Sequence, residues 1–221
     1  MNQVCIKTFN NALIIGDRNN FTKKKLSEIG IRNTTQIDIS NEEESKNFFI
    51  LSNTEVLPDL DEYDLIIGLS LINFLEDIPS FLKQLKNILT KDGLLLTSFF
   101  SENNILELKD LFSRVELNIY EGISQRFMPI IDIREVGDLI NNIGFFDTVI
   151  TREKLEYKYE NFNEMVSHLR LMAYTNFLDV KNNKFITKRF INSLVNDFEK
   201  NKTNSLFKLS FDILIINSWN K

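Results

Sequence analysis

At 221 residues and 43% hydrophobic content, the chain can bury one sizeable core and is short for two. Its formal net charge of -5 and pI near 5.1 argue against a general nucleic-acid binder, because phosphate neutralisation needs clustered excess Lys and Arg. One Cys and one His (Cys5 and His168) are too few for a structural zinc site or a disulfide within the chain, leaving metal-free chemistry as the expectation.

With 7 Gly and 3 Pro, nothing in the middle reads as a linker, so residues 1–221 are predicted to form a single domain. The like-charge runs Glu42-Glu43-Glu44 and Lys23-Lys24-Lys25 read as solvated faces. The most apolar run, 63–75, contains Asp64 and Asn73 and is shorter than the roughly 20 residues that span a bilayer. The N-terminus lacks a basic stretch followed by a long apolar one, so a cytoplasmic location is expected.

Short apolar runs alternate with helical patterns, as in βαβ units around a mostly parallel sheet. The first strand is predicted at 12–15, ending at Gly16. A helix follows over 21–29, where Phe21, Leu26 and Ile29 can share one face and Gly30 closes the end. Further strands fit 35–39 and 48–51. The strand at 64–69 is apolar on consecutive positions, as expected with helices on both faces. Pro79 suits the first turn of the next helix, with Phe81, Leu82, Leu85, Ile88 and Leu89 as its inward stripe. Asp92-Gly93 then turns into a strand at 94–100, followed by a helical stretch near 105–112.

Asp132, with Glu135 three places on, caps a helix whose apolar face is Ile133, Val136, Leu139, Ile140 and Ile143, and Gly144 ends it. A strand at 145–151 and two helical patterns, 162–172 and 187–198, precede a final strand at 206–218. The last two strands, separated by a helical insertion near 155–205, make an antiparallel edge hairpin. The predicted fold is a doubly wound, Rossmann-like, mostly parallel seven-stranded sheet with that hairpin at one edge.

A strand, a Gly-bearing turn, a helix and an acid ending the second strand suit an adenosine-containing cofactor bound beyond the strand ends. Here these parts are residues 12–16, the helix after them, and Asp38. With Leu57-Pro58, Glu62-Tyr63-Asp64-Leu65-Ile66-Ile67 and Leu89-Thr90-Lys91-Asp92-Gly93-Leu94-Leu95, the chain resembles a class I S-adenosylmethionine-dependent methyltransferase. Its second half is the more specific part of the resemblance. Arg126-Phe127-Met128-Pro129, Asp132-Ile133-Arg134-Glu135-Val136-Gly137, Ile143-Gly144-Phe145, residues 165–176, Ser210-Phe211-Asp212-Ile213-Leu214 and Trp219 resemble one subgroup. That subgroup contains the malonyl-carrier-protein methyltransferases of biotin synthesis and the methyltransferase-like assembly factors of respiratory complex I. The C-terminal segments look closer to the assembly-factor branch.

The resemblance implies S-adenosylmethionine as cofactor, held by Gly16, by Asp38 on the ribose hydroxyls, and by Asn53 near the adenine. It places Arg126 and Arg134 as groups able to grip a substrate carboxylate. The family's first motif reads roughly acidic-x-Gly-x-Gly-x-Gly. Only Gly16 survives here; Ile14 stands in the acidic slot, with Arg18 and Asn20 in the other glycine slots. Asn73 falls where many relatives carry His, and an amide does not titrate near neutrality, so no catalytic base is assigned. His168, between Val166 and Leu169, reads as packing. Relatives commonly carry a longer segment before the first strand, and if the chain is the whole protein the resemblance implies a more open site.

Two main functions follow. One is a methyltransferase acting on a carboxylate, as a small molecule or on a carrier protein, or on another protein-linked acceptor. The alternative is an inactive methyltransferase-fold assembly factor or chaperone-like protein with a protein client. Hydroxylation of a respiratory subunit, implied by the assembly-factor branch, has no residue here that singles it out.

Overall fold

The structure, a computed structural model, describes residues 8–17, 19–38, 48–50, 56–70, 75, 77–124, 127, 132–172 and 187–221. Among them the elements run β1 (Asn11–Ile15), α1 (Phe21–Glu28), β2 (Asn33–Asp38), β3 (Phe48–Ile50), β4 (Tyr63–Leu69), α2 (Ile78–Asn87), β5 (Leu89–Phe100), α3 (Leu106–Tyr120), α4 (Ile133–Ile143), β6 (Phe146–Tyr159), α5 (Phe162–Leu171), α6 (Lys188–Lys200) and β7 (Phe207–Asn220). One seven-stranded sheet has the order β3-β2-β1-β4-β5-β7-β6. The pairs β1–β2, β1–β4, β2–β3 and β4–β5 are parallel. Along β7 the bonds run in the opposite sense. Asn220 meets the Leu89 carbonyl at one end, while Ser101 N–H meets the Asp212 carbonyl at the other. Ser218 and Lys208 likewise meet Thr148 and Glu156 of β6, so β7 is antiparallel to both neighbours.

The chain divides into two compact units. The first holds residues 1–99, 131–152 and 214–221, and the second 100–130 and 153–213.

In the first unit, consecutive apolar residues in β1 and β4 supply both faces of the sheet. Leu13, Ile15 and Ile66 join Phe81, Leu82 and Leu85 of α2 and Val136 and Ile140 of α4 in one core. Ala12, Ile14, Leu65 and Ile67 face the other way, onto Leu26 and Ile31. Asp77 caps α2 by accepting the Ser80 N–H at 3.0 Å. Asp132 and Glu135 form the reciprocal capping box expected for α4.

The stripe predicted for α1 is corrected. Leu26 is buried, but Phe21 and Ile29 are 65% and 73% exposed. Residues spaced at five and then three positions spread around a short helix, and only the middle one meets the sheet. Leu89, predicted on the α2 stripe, instead opens β5, where it pairs with Tyr63 before a register shift at Leu65. The Asp92-Gly93 pair is an irregularity inside this strand rather than its start. A Cβ on Gly93 would stand 2.8 Å from the Leu89 side chain and the Thr90 carbonyl, so only glycine fits.

In the second unit, α3 runs to Tyr120, well past the predicted end. Leu108, Leu111 and Val115 continue its buried stripe at helical spacing. β6 likewise continues past Thr151 through a charged stretch whose residues are exposed up to Lys158. Pairing with β7, rather than burial, sustains that half of the strand. Phe198 of α6 is fully buried and stacks on Phe207 at 4.5 Å. Arg114 and Asp197 join α3 to α6 at 3.0 Å. Asp212, also buried, accepts the Ser101 hydroxyl at 2.6 Å.

Candidate functional site

Where the sheet order reverses, between β1 and β4, the chain leaves the two strands toward helices on opposite faces. Such a point leaves a crevice at the carboxyl ends of the strands. Gly16 follows β1 with φ 86, and its N–H donates to the Ile37 carbonyl at 2.9 Å. Asp38 ends the adjacent β2, 4% exposed, so the two expected cofactor residues stand at neighbouring strand ends. Ile14, in the family's acidic slot, is fully buried among Leu26, Ile31 and Leu65, where a carboxylate would be desolvated.

The turn between Gly16 and α1 is tied to itself. Asn20 lies in the left-handed region, φ 54 and ψ 22, and its side chain does not cap the helix. Asp17, buried, accepts the Lys23 N–H at 2.9 Å and satisfies an amide of the first helical turn instead. Gln36 of β2 donates to Asn20 Oδ1 at 2.8 Å and accepts from Lys23 Nζ at 3.3 Å. At the end of β4, Ser70 also has a positive φ of 54, and its N–H donates to Ser98 Oγ at 3.0 Å. Sequence reasoning missed Asp17 and Gln36. A polar residue in a strand covered on both faces was the available signal for Gln36.

Of the other expected site residues, Arg134 is exposed on the first turn of α4, where its N–H donates to Asp132 Oδ1 at 2.6 Å. Arg18, Asn53, Asn73 and Arg126 lie outside the described residues. Among the described residues there is no cluster of His, Cys, Asp and Glu suited to a metal ion. None of their helices is long and apolar enough to cross a membrane.

The retained groups fit S-adenosylmethionine in part. The positive φ at Gly16 keeps the turn after β1, and Asn20 keeps left-handed geometry in a glycine slot. Asp38 keeps the acid.

His168 packs between rings, with Tyr157 at 4.8 Å and Phe211 at 6.2 Å between centroids. Its Nδ1 lies 2.5 Å from the Tyr159 hydroxyl. Burial, then Tyr157 and Glu164 nearby, pushes Tyr159 from the ordinary 10.0 up to about 12. Unfolding therefore releases its proton earlier. This contribution to stability is complete below the unfolded pKa near 10 and is lost as pH rises toward about 12. In an alkaline absorbance titration, Tyr159→Phe is expected to remove a late step near pH 12. An unchanged late step would assign it elsewhere.

No protein-family model matches the chain. It is 24% identical over 158 residues, 71% of this chain and 36% of the relative, to the mitochondrial arginine-hydroxylase NDUFAF5 of Dictyostelium discoideum. A Rickettsia prowazekii (strain Madrid E) protein named as a methyltransferase, RP459, is 26% identical over 148 residues, 65% of each chain. The malonyl-[acyl-carrier protein] O-methyltransferase of Gallionella capsiferriformans (strain ES-2) is 20% identical over 171 residues, 77% of this chain and 57% of that one. The matched part is less than half the length of the arginine-hydroxylase relatives.

Among solved structures, a methyltransferase-fold protein from Bacillus halodurans aligns with a TM-score of 0.60 at 10% identity, covering 99% of this chain and 96% of that one. The Haemonchus contortus phosphoethanolamine N-methyltransferase 2, in complex with S-adenosylhomocysteine, aligns at 0.52 and 12% identity, covering 98% of this chain and 50% of the other. The sheet order, the glycine turn after β1 and these likenesses together make the chain a relative of the class I methyltransferases.

Proposed function

We propose that the chain is an S-adenosylmethionine-dependent methyltransferase acting in the cytoplasm as one domain, on a carboxylate or a carrier- or protein-linked acceptor. The observation that carries this reading is the preserved turn. Gly16 and Asn20 both have positive φ beside a buried Asp38, despite the loss of two motif glycines. When bound, the cofactor supplies an electrophilic methyl group on a cationic sulfur, open to in-line displacement. The protein's work is then positioning. The Gly16 backbone allows close approach, Asp38 accepts hydroxyl hydrogen bonds, and Asn53 meets the adenine edge. Arg126 and Arg134 hold the acceptor's carboxylate.

A second reading, an inactive assembly or chaperone-like protein, has one observation in its favour. The turn's polar groups already satisfy one another through Asp17, Asn20, Lys23 and Gln36.

A thermal-shift titration decides between them. Cofactor at 100 times its dissociation constant stabilises a fold by roughly 2.7 kcal/mol, a gain of about 5 to 10 °C for a chain of this size. That gain is the expected result. No shift at millimolar cofactor would favour the assembly reading. Arg18→Gly with Asn20→Gly is expected to strengthen binding by removing side chains from the glycine slots. Continued silence in that variant would remove sterics as the cause.

A further inference from the structure

Asn20 presents an inconsistency that its neighbours resolve. It stands at the N-cap of α1, a place where Asn ordinarily uses its side chain on a helical amide, and it does not do so. It is also left-handed, a region that Asn enters mainly where its short side chain can hydrogen-bond locally, yet here that side chain bonds to a distant strand. Its Oδ1 instead accepts the Gln36 amide at 2.8 Å, across a separation of 16 residues. The capping falls to Asp17, whose carboxylate takes the Lys23 N–H at 2.9 Å and whose carbonyl takes the Asn20 N–H at 3.1 Å. Lys23 Nζ closes the ring on Gln36 Oε1 at 3.3 Å. Gln36 is 6% exposed and engaged at both ends of its amide, so it couples the interior of β2 to the turn.

We propose that Gln36 is a positioning residue for the cofactor crevice. Its buried amide holds Asn20 in the left-handed conformation that glycine gives relatives without assistance, while Asp17 closes the helix end that Asn20 leaves uncapped. Gln36 acts through Asn20 and Lys23, to which its amide is bonded. The role in ligand binding rests on the functional reading above, whereas the effect on the turn does not.

The test is one of rescue. If Gln36 matters by holding Asn20, a glycine at that position needs no holding. Two readouts are followed in the full chain. These are S-adenosylmethionine affinity by calorimetry, and amide hydrogen exchange at Gly16, Asn20 and Lys23. Gln36→Leu is expected to weaken affinity and to speed exchange at those amides, each by about three- to tenfold, the effect of one lost hydrogen bond. Asn20→Gly alone sets the reference for the rescue, and adding Gln36→Leu to it is expected to change neither readout by more than about twofold.

An inert Gln36→Leu, or a double variant as impaired as the single one, overturns the proposal. A purely structural role for Gln36 would give that second outcome, since glycine at position 20 does nothing for a disturbed β2. If the native chain binds no S-adenosylmethionine, the functional reading falls and exchange alone decides. Rescue there upholds the clamp, and its absence overturns it.

Discussion

Replacing Asp38 by Ala is expected to weaken S-adenosylmethionine binding by about 10²-fold or more, the largest single effect on the proposed activity. Hydrogen bonds to a charged acceptor contribute about 1.5 to 3 kcal/mol each, and a carboxylate at this strand end has two ribose hydroxyls to accept. About 1.4 kcal/mol corresponds to each tenfold, so losing both bonds exceeds a hundredfold. Asp38 is 4% exposed and held in β2 opposite Ile50 of β3, so little freedom is spent on ordering it. Asp38→Asn, which keeps one acceptor oxygen, should fall between native and Ala. Because Asp38 also interacts within the protein, affinity is measured beside a denaturation curve and compared for the folded fraction only. Binding within about threefold of native would remove Asp38 from the site and leave the ribose without its acid.

Phe198→Ala is expected to lower stability by about 3 to 5 kcal/mol, the usual range for truncating a buried aromatic. Its ring has no exposed surface, stacks on Phe207 at 4.5 Å and 27°, and meets Phe162 edge-on at 5.7 Å. The melting temperature should fall by about 6 to 20 °C. The urea midpoint should drop with little change in slope. One coincident transition by fluorescence and circular dichroism, in native and variant alike, would support the single-domain proposal. Two separated transitions would end it. A loss below about 1 kcal/mol would mean that the surrounding rings collapse into the space.

Much of the architecture was legible because its signals are local. Four or more consecutive apolar residues in β1 and β4 can only be covered on both faces, and they are. Asp132 with Glu135 three places on, ahead of a 3–4 apolar spacing, specified α4 down to its capping bonds. The strand-end positions of Gly16 and Asp38 were legible because a turn glycine and a strand-end acid stand at fixed offsets from a strand. The same logic overreached at Phe21 and Ile29. A helix with one buried residue carries too weak a stripe to say which side faces the sheet. It stopped too early in β6, where a charged stretch lacks the apolar alternation that marks a strand.

By itself, then, the chain's sequence determined the succession of strands and helices, the apolar faces that bring them together, and the placing of Gly16 and Asp38 at neighbouring strand ends. Only the tertiary structure decided how a turn with one remaining motif glycine keeps its shape. The bonds responsible join Asp17, Asn20 and Lys23 to one another and to Gln36, and the pairs with Gln36 lie 13 and 16 positions apart. Hydrogen bonds across such separations have no periodicity to read. They exist only once β1 and β2 lie side by side and bring a buried amide against the turn.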